Sequence, residues 1–181
     1  MVANEQAARP TPVVVVMGVS GSGKTTIGAL VADAKSVPFV DADDLHPIDN
    51  VKKMAAGTPL DDEDRWPWLD IVGRRLQEAE ESGEGVVMAC SALRRVYRDR
   101  IRATAPGTIF LHLHGSLEVL TARIEGRSGH FMPATLLQSQ LDTLEPLAQE
   151  EGGYKLDIDQ SVPDMVNEAV TKLRAIAAAN S

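Results

Sequence analysis

The sequence predicts an α/β protein in which a five-stranded parallel sheet is sandwiched by helices, and three observations lead there. Short apolar runs rich in β-branched residues recur five times, a stretch of helical periodicity follows each, and the first run feeds directly into a glycine-rich turn. Such alternation argues for parallel strands joined by right-handed crossovers, with a cleft at the carboxyl ends of the strands.

The first run, VVVVM at 13–17, carries no polar interruption and reads as a strand buried on both faces. GVSGSGKT follows at 18–25, and Ile27, Leu30, Val31 and Ala34 then fall on one helical face. Phe39 and Val40 open a short second strand that ends at Asp41, in the acidic turn DADDLHP. Pro47 suits the first position of a helix, IDNVKKMAA, that stops at Gly57. The segment TPLDDEDRWPW, with Pro59, four acids and two tryptophans, reads as a loop. Leu69, Val72, Leu76 and Ala79 give helical spacing until Ser82 and Gly83 end it.

Residues 85–90 form the third strand, and Leu93, Val96, Tyr97 and Ile101 follow on a basic helix. Residues 108–113 are the fourth strand, and Ser116 caps a helix carrying Leu117, Leu120 and Ile124. GRSGHFMP breaks that helix before another amphipathic one with Leu136, Leu137, Gln140, Leu141 and Leu144. Residues 155–158 are the last strand, and Ser161 with Asp164 makes a capping-box-like start to the final helix through Val166, Val170 and Leu173. The carboxyl edge of this sheet carries residues 18–25, 41–46 and 91–94 and the loop near Asp159.

A chain of 181 residues with 44% apolar content suits one domain, expected over 13–178, behind a polar, proline-ended and poorly ordered tail at 1–12. The formal charge of −8 argues against nucleic acid or an anionic membrane as the main partner, so an anionic substrate must be captured by local cations. No signal-peptide h-region and no run of membrane-spanning length is present, which reads as a soluble protein. The single cysteine, Cys90, excludes an internal disulfide and fits a reducing compartment; in VVMAC it reads as a buried strand residue, with a regulatory thiol as the alternative.

GVSGSGKT, set between strand and helix, fits the phosphate-loop pattern G-x-x-x-x-G-K-[ST]. Gly18, Val19, Ser20, Gly21, Ser22 and Gly23 form the loop, with Lys24, Thr25 and Thr26 at the helix start. Glycines let successive N–H groups turn inward around phosphate oxygens, and the helix adds its positive end. Lys24 would neutralise terminal phosphates and Thr25 would ligate Mg²⁺; a glycine-rich turn without ligand is the alternative. A phosphate loop alone leaves open a switch GTPase, a motor ATPase, a nucleotide kinase or a small-molecule kinase. No N-K-x-D tetrapeptide reads guanine, and the strand 86–90 ends in Ser91 rather than the acid usual at an ATPase metal site. The acids stand instead at Asp41 and Asp43. Residues two apart on extended backbone point the same way, so both carboxylates would face the terminal phosphate, one on Mg²⁺ water and one on an attacking hydroxyl. The alternative is that Asp41, Asp43 and Asp44 satisfy local turn donors.

MGVSGSGKT, DADDLHP, Asn50, Lys53-Met54, GTPLDDEDRWPWL, CSALRR-x-YRD, GHFM, the element with Gln140, Leu144, Glu145 and Pro146, and DIDQ at 157–160 together resemble the phosphate-loop gluconokinases, which are related to shikimate kinases. The resemblance runs from Val13 to the final helix. It implies the phosphate-loop kinase fold, transfer of the γ-phosphate of ATP to the 6-hydroxyl of D-gluconate, Mg²⁺, and a cytoplasmic homodimer. A kinase for another small anion such as shikimate, and a non-catalytic ATP-binding switch, are the competing functions. The family pattern often has an aromatic where this chain has Asp44, so here a further negative charge stands near an anion's site.

In this reading Asp41 holds Mg²⁺ through water and Asp43 orients and deprotonates the 6-hydroxyl. The gluconate carboxylate asks for arginine's planar fork. Arg94 ranks first, then Arg65 and Arg98; Arg94 and Arg98 lie one turn apart on one face. His46, Lys53 and His130 are further substrate candidates, His46 having a turn-fixing role as its alternative. Residues 124–133 look like a lid, with Arg127 closing on the transferred phosphoryl group and Arg123 serving adenine; Gln160 would wall the other side of the base. Trp66 and Trp68 would line the sugar-acid pocket, a dimer contact or the core.

Overall fold

The computed structural model of the chain describes residues 11–125 and 134–179. In chain order the elements are β1 (Val13–Met17), α1 (Lys24–Lys35), β2 (Phe39–Asp41), α2 (Ile48–Ala55), α3 (Asp62–Ser82), β3 (Val86–Ala89), α4 (Arg95–Thr104), β4 (Ile109–His114), α5 (Leu117–Glu125), α6 (Ala134–Thr143), β5 (Gly153–Asp157) and α7 (Val162–Ala179). All strand pairings are parallel, in the order β2-β3-β1-β4-β5, so the predicted five-stranded sheet stands. Register is set about the centre, with Val15 opposite Met88 on one side and Phe110 on the other.

The alternation of β1 explains why its sequence is apolar throughout. Val13, Val15 and Met17 pack with Trp68, Leu69, Val72 and Leu76 of α3 and Ile101 of α4. Val14 and Val16 pack with Ile27 and Val31 of α1 and Met165, Ala169 and Leu173 of α7. Both faces are covered by helices, as the crossover rule requires of a parallel sheet.

The loop expected across TPLDDEDRWPW is largely helix. α3 begins at Asp62, where the Asp61 carboxylate accepts the Asp64 N–H at 2.8 Å and the Asp64 carboxylate accepts the Asp61 N–H at 3.1 Å. This is a capping box made of two aspartates. Pro67 sits inside the helix, and the bond it cannot donate would have gone to Glu63, an exposed residue. Elsewhere the strand ends differ from expectation by a residue or two, as in β5, while the expected caps stand: Ser116 Oγ accepts the Val119 N–H at 3.2 Å, and Ser161 Oγ accepts the Asp164 N–H at 3.2 Å.

Candidate active site

A cavity of about 980 Å³ opens at the carboxyl end of β1, between the phosphate loop, the turn after β2 and the start of α6. Its floor is built by backbone. Gly18 has φ 150°, and a Cβ there would stand 2.8 Å from the Leu113 carbonyl oxygen and from Ser22 Oγ. Ser22 is buried, its hydroxyl donating to the Val19 carbonyl at 2.7 Å. Gly23, at φ 97°, starts α1 with neither a capping side chain nor an acid in the first turn. An uncapped helix start leaves its N–H groups for an anion. Lys24 Nζ donates to the Val19 carbonyl at 3.0 Å, lying along the loop it serves.

Asp41 and Asp43 line the same cavity as Lys24 and Thr25, though not by the extended geometry expected of them. β2 ends at Asp41, and Ala42–Leu45 is a 3₁₀ turn. Asp41 caps that turn, its Oδ1 accepting the Asp43 N–H at 3.0 Å. The turn-satisfying role and the site role therefore share one side chain. Asp43 remains open to solvent by surface, yet the crowding of protein around it raises its pKa above the ordinary value. Asp41 and, less strongly, Asp44 add to that rise; His46 and Lys24 oppose it.

For Mg²⁺ the donors present are hard oxygens: the Thr25 hydroxyl and the Asp41 carboxylate share the cavity. Among the described residues no cluster of three or more acids, histidines or cysteines forms a cage. Mg²⁺ on a nucleotide needs none, since it takes one or two protein oxygens and completes its shell from phosphate and water. The residues fit the ion.

His46 lines the cavity, stacked on Trp68 with ring centroids 4.3 Å apart and Nδ1 3.2 Å from Asn50 Nδ2. Burial lowers its pKa, with Arg65 acting in the same sense and Asp43 opposing, so the ring is neutral at neutral pH. Trp68 is buried and donates from Nε1 to the Ala42 carbonyl at 2.7 Å, tying α3 to the acidic turn. It is both core and cavity wall. Trp66 packs edge-on to Tyr97 instead.

The arginines reorder. Arg65 lines the cavity, its Nη1 3.3 Å from the Tyr97 hydroxyl. Arg94 does not; its Nη1 holds Asp62 at 2.8 Å, and its Nε stands 3.6 Å from Glu145. Arg98 is corrected outright. It is wholly buried, paired with Glu151 at 2.8 Å and donating to the carbonyls of Ala92, Leu93 and Glu145, so it has no face for a substrate. Its work is to brace the turn after β3, where Ala92 takes φ 44° and Ser91 and Leu93 reach the cavity. Lys53 is likewise committed, with Nζ 2.8 Å from both oxygens of Asp64 at the head of α3.

Arg123 and Gln160 come together but outside the cavity lining. Arg123 Nη2 donates to the carbonyls of Ile158 and Gln160, while the Gln160 amide turns to the Asp157 carbonyl and to Glu168. Arg127, His130 and most of the expected lid at 124–133 lie outside the described residues. Cys90 is buried, as expected of a strand residue, and burial pushes its thiol up to about 12, against the thiolate character a regulatory thiol needs. Among the lining residues that the sequence reading did not place in the site are Met54, Leu60, Leu136, Ser139, Gln140 and Thr143. Gln140 carried a signal: it is a polar residue on the otherwise apolar stripe of its helix.

A model of the shikimate kinase family matches residues 20–173. Within that family, the probable gluconokinase of Xenopus tropicalis is 44% identical, the match covering 86% of this chain and 90% of the relative. The thermosensitive gluconokinase of Escherichia coli (strain K12) is 42% identical over 90% of this chain and 87% of its own. The chain belongs to the gluconokinases of the shikimate kinase family. The crystal structure of a gluconokinase from Sinorhizobium meliloti 1021 superposes with a TM-score of 0.84 at 48% identity, covering 94% of this chain and 95% of that one. The gluconokinase resemblance carried by DADDLHP and CSALRR is thereby borne out, and the chain is an enzyme of the kinase class. Among the described residues lining the cavity, Lys24 and Arg65 are the cationic side chains, set beside Asp41 and Asp43.

Proposed function

We propose that the chain transfers the γ-phosphoryl group of ATP to the 6-hydroxyl of D-gluconate, giving 6-phospho-D-gluconate and ADP. The observation that carries the proposal is the convergence of the phosphate loop, Lys24 and Asp43 on one cavity. ATP phosphates sit against the loop from Gly18 to Thr26, and Lys24 leaves the Val19 carbonyl for the β and γ oxygens. Thr25 and Asp41 would hold Mg²⁺, which supplies charge screening of the phosphates. The bond from the 6-oxygen to phosphorus forms as the bond from phosphorus to the ADP oxygen breaks. Asp43 holds the hydroxyl in line and takes its proton late, which a loose transition state tolerates.

Arg65 is the carboxylate partner in this reading, because Arg94 lies outside the cavity lining, held by Asp62 and Glu145, and Arg98 is enclosed. His46, neutral and fixed by Trp68 and Asn50, hydrogen-bonds a substrate hydroxyl. Arg127 and His130 keep their assignments to the phosphoryl group and the substrate, and Arg123 and Gln160 keep theirs to the adenine side. The reading is completed by one domain over 13–178, a homodimer and a cytoplasmic location, as the resemblance implies; among the described residues no helix is long and apolar enough to cross a membrane.

The test is ADP release across a panel of sugar acids and shikimate. Gluconate is expected to turn over far faster than the rest; ADP release no faster with gluconate than with water alone defeats the assignment. The shikimate alternative wins if shikimate leads the panel.

Asp43 also sets a pH dependence. A base must be ionised to work, so kcat/KM falls on the acid side as Asp43 protonates, at a midpoint above the ordinary aspartate value of about 3.9. Asp44→Asn removes one of the charges that raise it and is expected to move that limb to lower pH. A limb unmoved in Asp44→Asn would assign it to another group.

A further inference from the structure

α6 and the phosphate loop are joined by a two-point contact that the roles above leave unused. Gln140 Oε1 accepts the Ser20 backbone N–H at 2.7 Å, and Gln140 Nε2 donates to Ser20 Oγ at 3.1 Å. A side-chain amide presents an acceptor and a donor side by side, and Ser20 presents the matching pair, so the contact fixes the amide's orientation and the spacing between helix and loop. The same helix puts Leu136, Ser139 and Thr143 on the cavity wall, in the space that also holds Asp43 and Arg65. Leu136 is 46% exposed there, an apolar side chain facing the cleft. Beyond its far end α6 is anchored separately, by the Glu145 N–H donating to the Leu93 carbonyl at 2.8 Å, and along its length by the buried Leu137.

We infer that Gln140 is a positioning residue for the acceptor: through Ser20 it sets how far the α6 wall stands from the transferable phosphoryl group, so that the sugar acid, and not water, fills the gap. The inference rests on the kinase reading. It concerns the acceptor more than ATP, because the loop's fold is held by Gly18, Ser22 and the Val19 carbonyl without Gln140, whereas the α6 wall meets the loop through Gln140. Losing the contact lets the wall swing about its Glu145 anchor and admits water beside Lys24.

Gln140→Leu removes both hydrogen bonds while suiting the apolar stripe and keeping the Leu137 and Glu145 anchors. The KM for gluconate is expected to rise about ten- to a hundredfold, the scale of two lost hydrogen bonds, with the KM for ATP within about twofold on the same scale. ADP release without gluconate, as a fraction of the gluconate-dependent rate, should rise roughly tenfold, since one such bond is worth about that factor. Ser20→Ala deletes only the hydroxyl half and should give a smaller shift of the same kind, and the double variant should be no worse than Gln140→Leu, because the two side chains act as one contact. Wild-type turnover of gluconate is read first; its absence overturns the kinase reading along with this one. Wild-type turnover with an unmoved gluconate KM in Gln140→Leu, equal shifts in both KM values, or additive effects of the two substitutions overturns this inference alone.

Discussion

Asp43→Asn is expected to cut gluconate-dependent turnover by about a hundredfold or more, the usual scale for a positioned acid–base group, while ATP binds as before. The substitution is nearly isosteric, so the turn after β2 keeps its shape: the bond to Asp41 comes from the Asp43 backbone N–H and survives. What goes is the negative charge and, with it, acceptance of the 6-hydroxyl proton. ATP affinity is predicted to hold because the phosphates meet the loop and Lys24, and removing a carboxylate beside Asp41 relieves repulsion in the same cavity. Lys24→Ala is the contrasting case, in which phosphate affinity and turnover fall together, since one ammonium serves both. Calorimetric titration with a non-hydrolysable ATP analogue, set beside the coupled assay, separates the two patterns. Near-normal turnover in Asp43→Asn would sink the proposed chemistry and favour an ATP-binding switch that transfers nothing.

Arg98→Ala should cost about 3–5 kcal/mol of stability, the usual penalty for stranding one member of a buried ion pair. Glu151 would keep only Arg102, at 2.7 Å, and the Ala148 N–H, while the carbonyls of Ala92 and Glu145 would lose their donor. For a chain of this size that is a fall in Tm on the order of 10 °C. Arg98→Met with Glu151→Leu is expected to recover much of the loss, because no charge is then left enclosed. The pair also fixes an acid-side signature. Burial raises the Glu151 pKa, but hydrogen bonds from Arg98, the Ala148 N–H and Arg102 outweigh it and bring the carboxyl to about 2. A folded pKa below the unfolded one gives stability that is present above the ordinary glutamate range and is lost as pH falls toward about 2. Chemical denaturation at a series of pH values should show that loss in the wild type and a flatter profile in Arg98→Ala. A variant as stable as the wild type at neutral pH would mean that the enclosed pair is energetically neutral.

Much of this architecture is written locally. The four valines of β1, the glycines of the loop and the helical stripe of α1 each depend on neighbours within a turn or two, and the structure returns them with small changes at the ends. The start of α3 was hidden because its capping box uses aspartate where serine or threonine with glutamate is the familiar pattern, and because Pro67 reads as a breaker unless one knows that Glu63 faces water. The arginines were beyond local reading. Spacing of four residues places Arg94 and Arg98 on one side of a helix, but their partners, Asp62 and Glu151, arrive from 32 and 53 residues away. Those partners decide that one is half exposed and the other enclosed. Asp41 and Asp43 reach a shared cavity by a different backbone route from the one their spacing suggests, through a turn that Asp41 itself caps. Residue type announced the chemistry there, and tertiary packing chose the path.

The strand order also bears on how the chain is made. β1 leaves the ribosome before the other four strands of this sheet, yet it ends at the centre of the sheet and depends on β3 and β4 for its pairing. Translation must add about a hundred residues beyond Val13 before β4 is complete, roughly 5–20 s at ordinary synthesis rates. Until β3 emerges, an uncharged, strongly β-prone pentapeptide waits without a partner, and until β4 follows one of its edges stays open, the kind of segment that seeds intermolecular pairing. Pro12 and Gly18 bracket it, and such flanking breakers restrain the nascent strand from recruiting its neighbours.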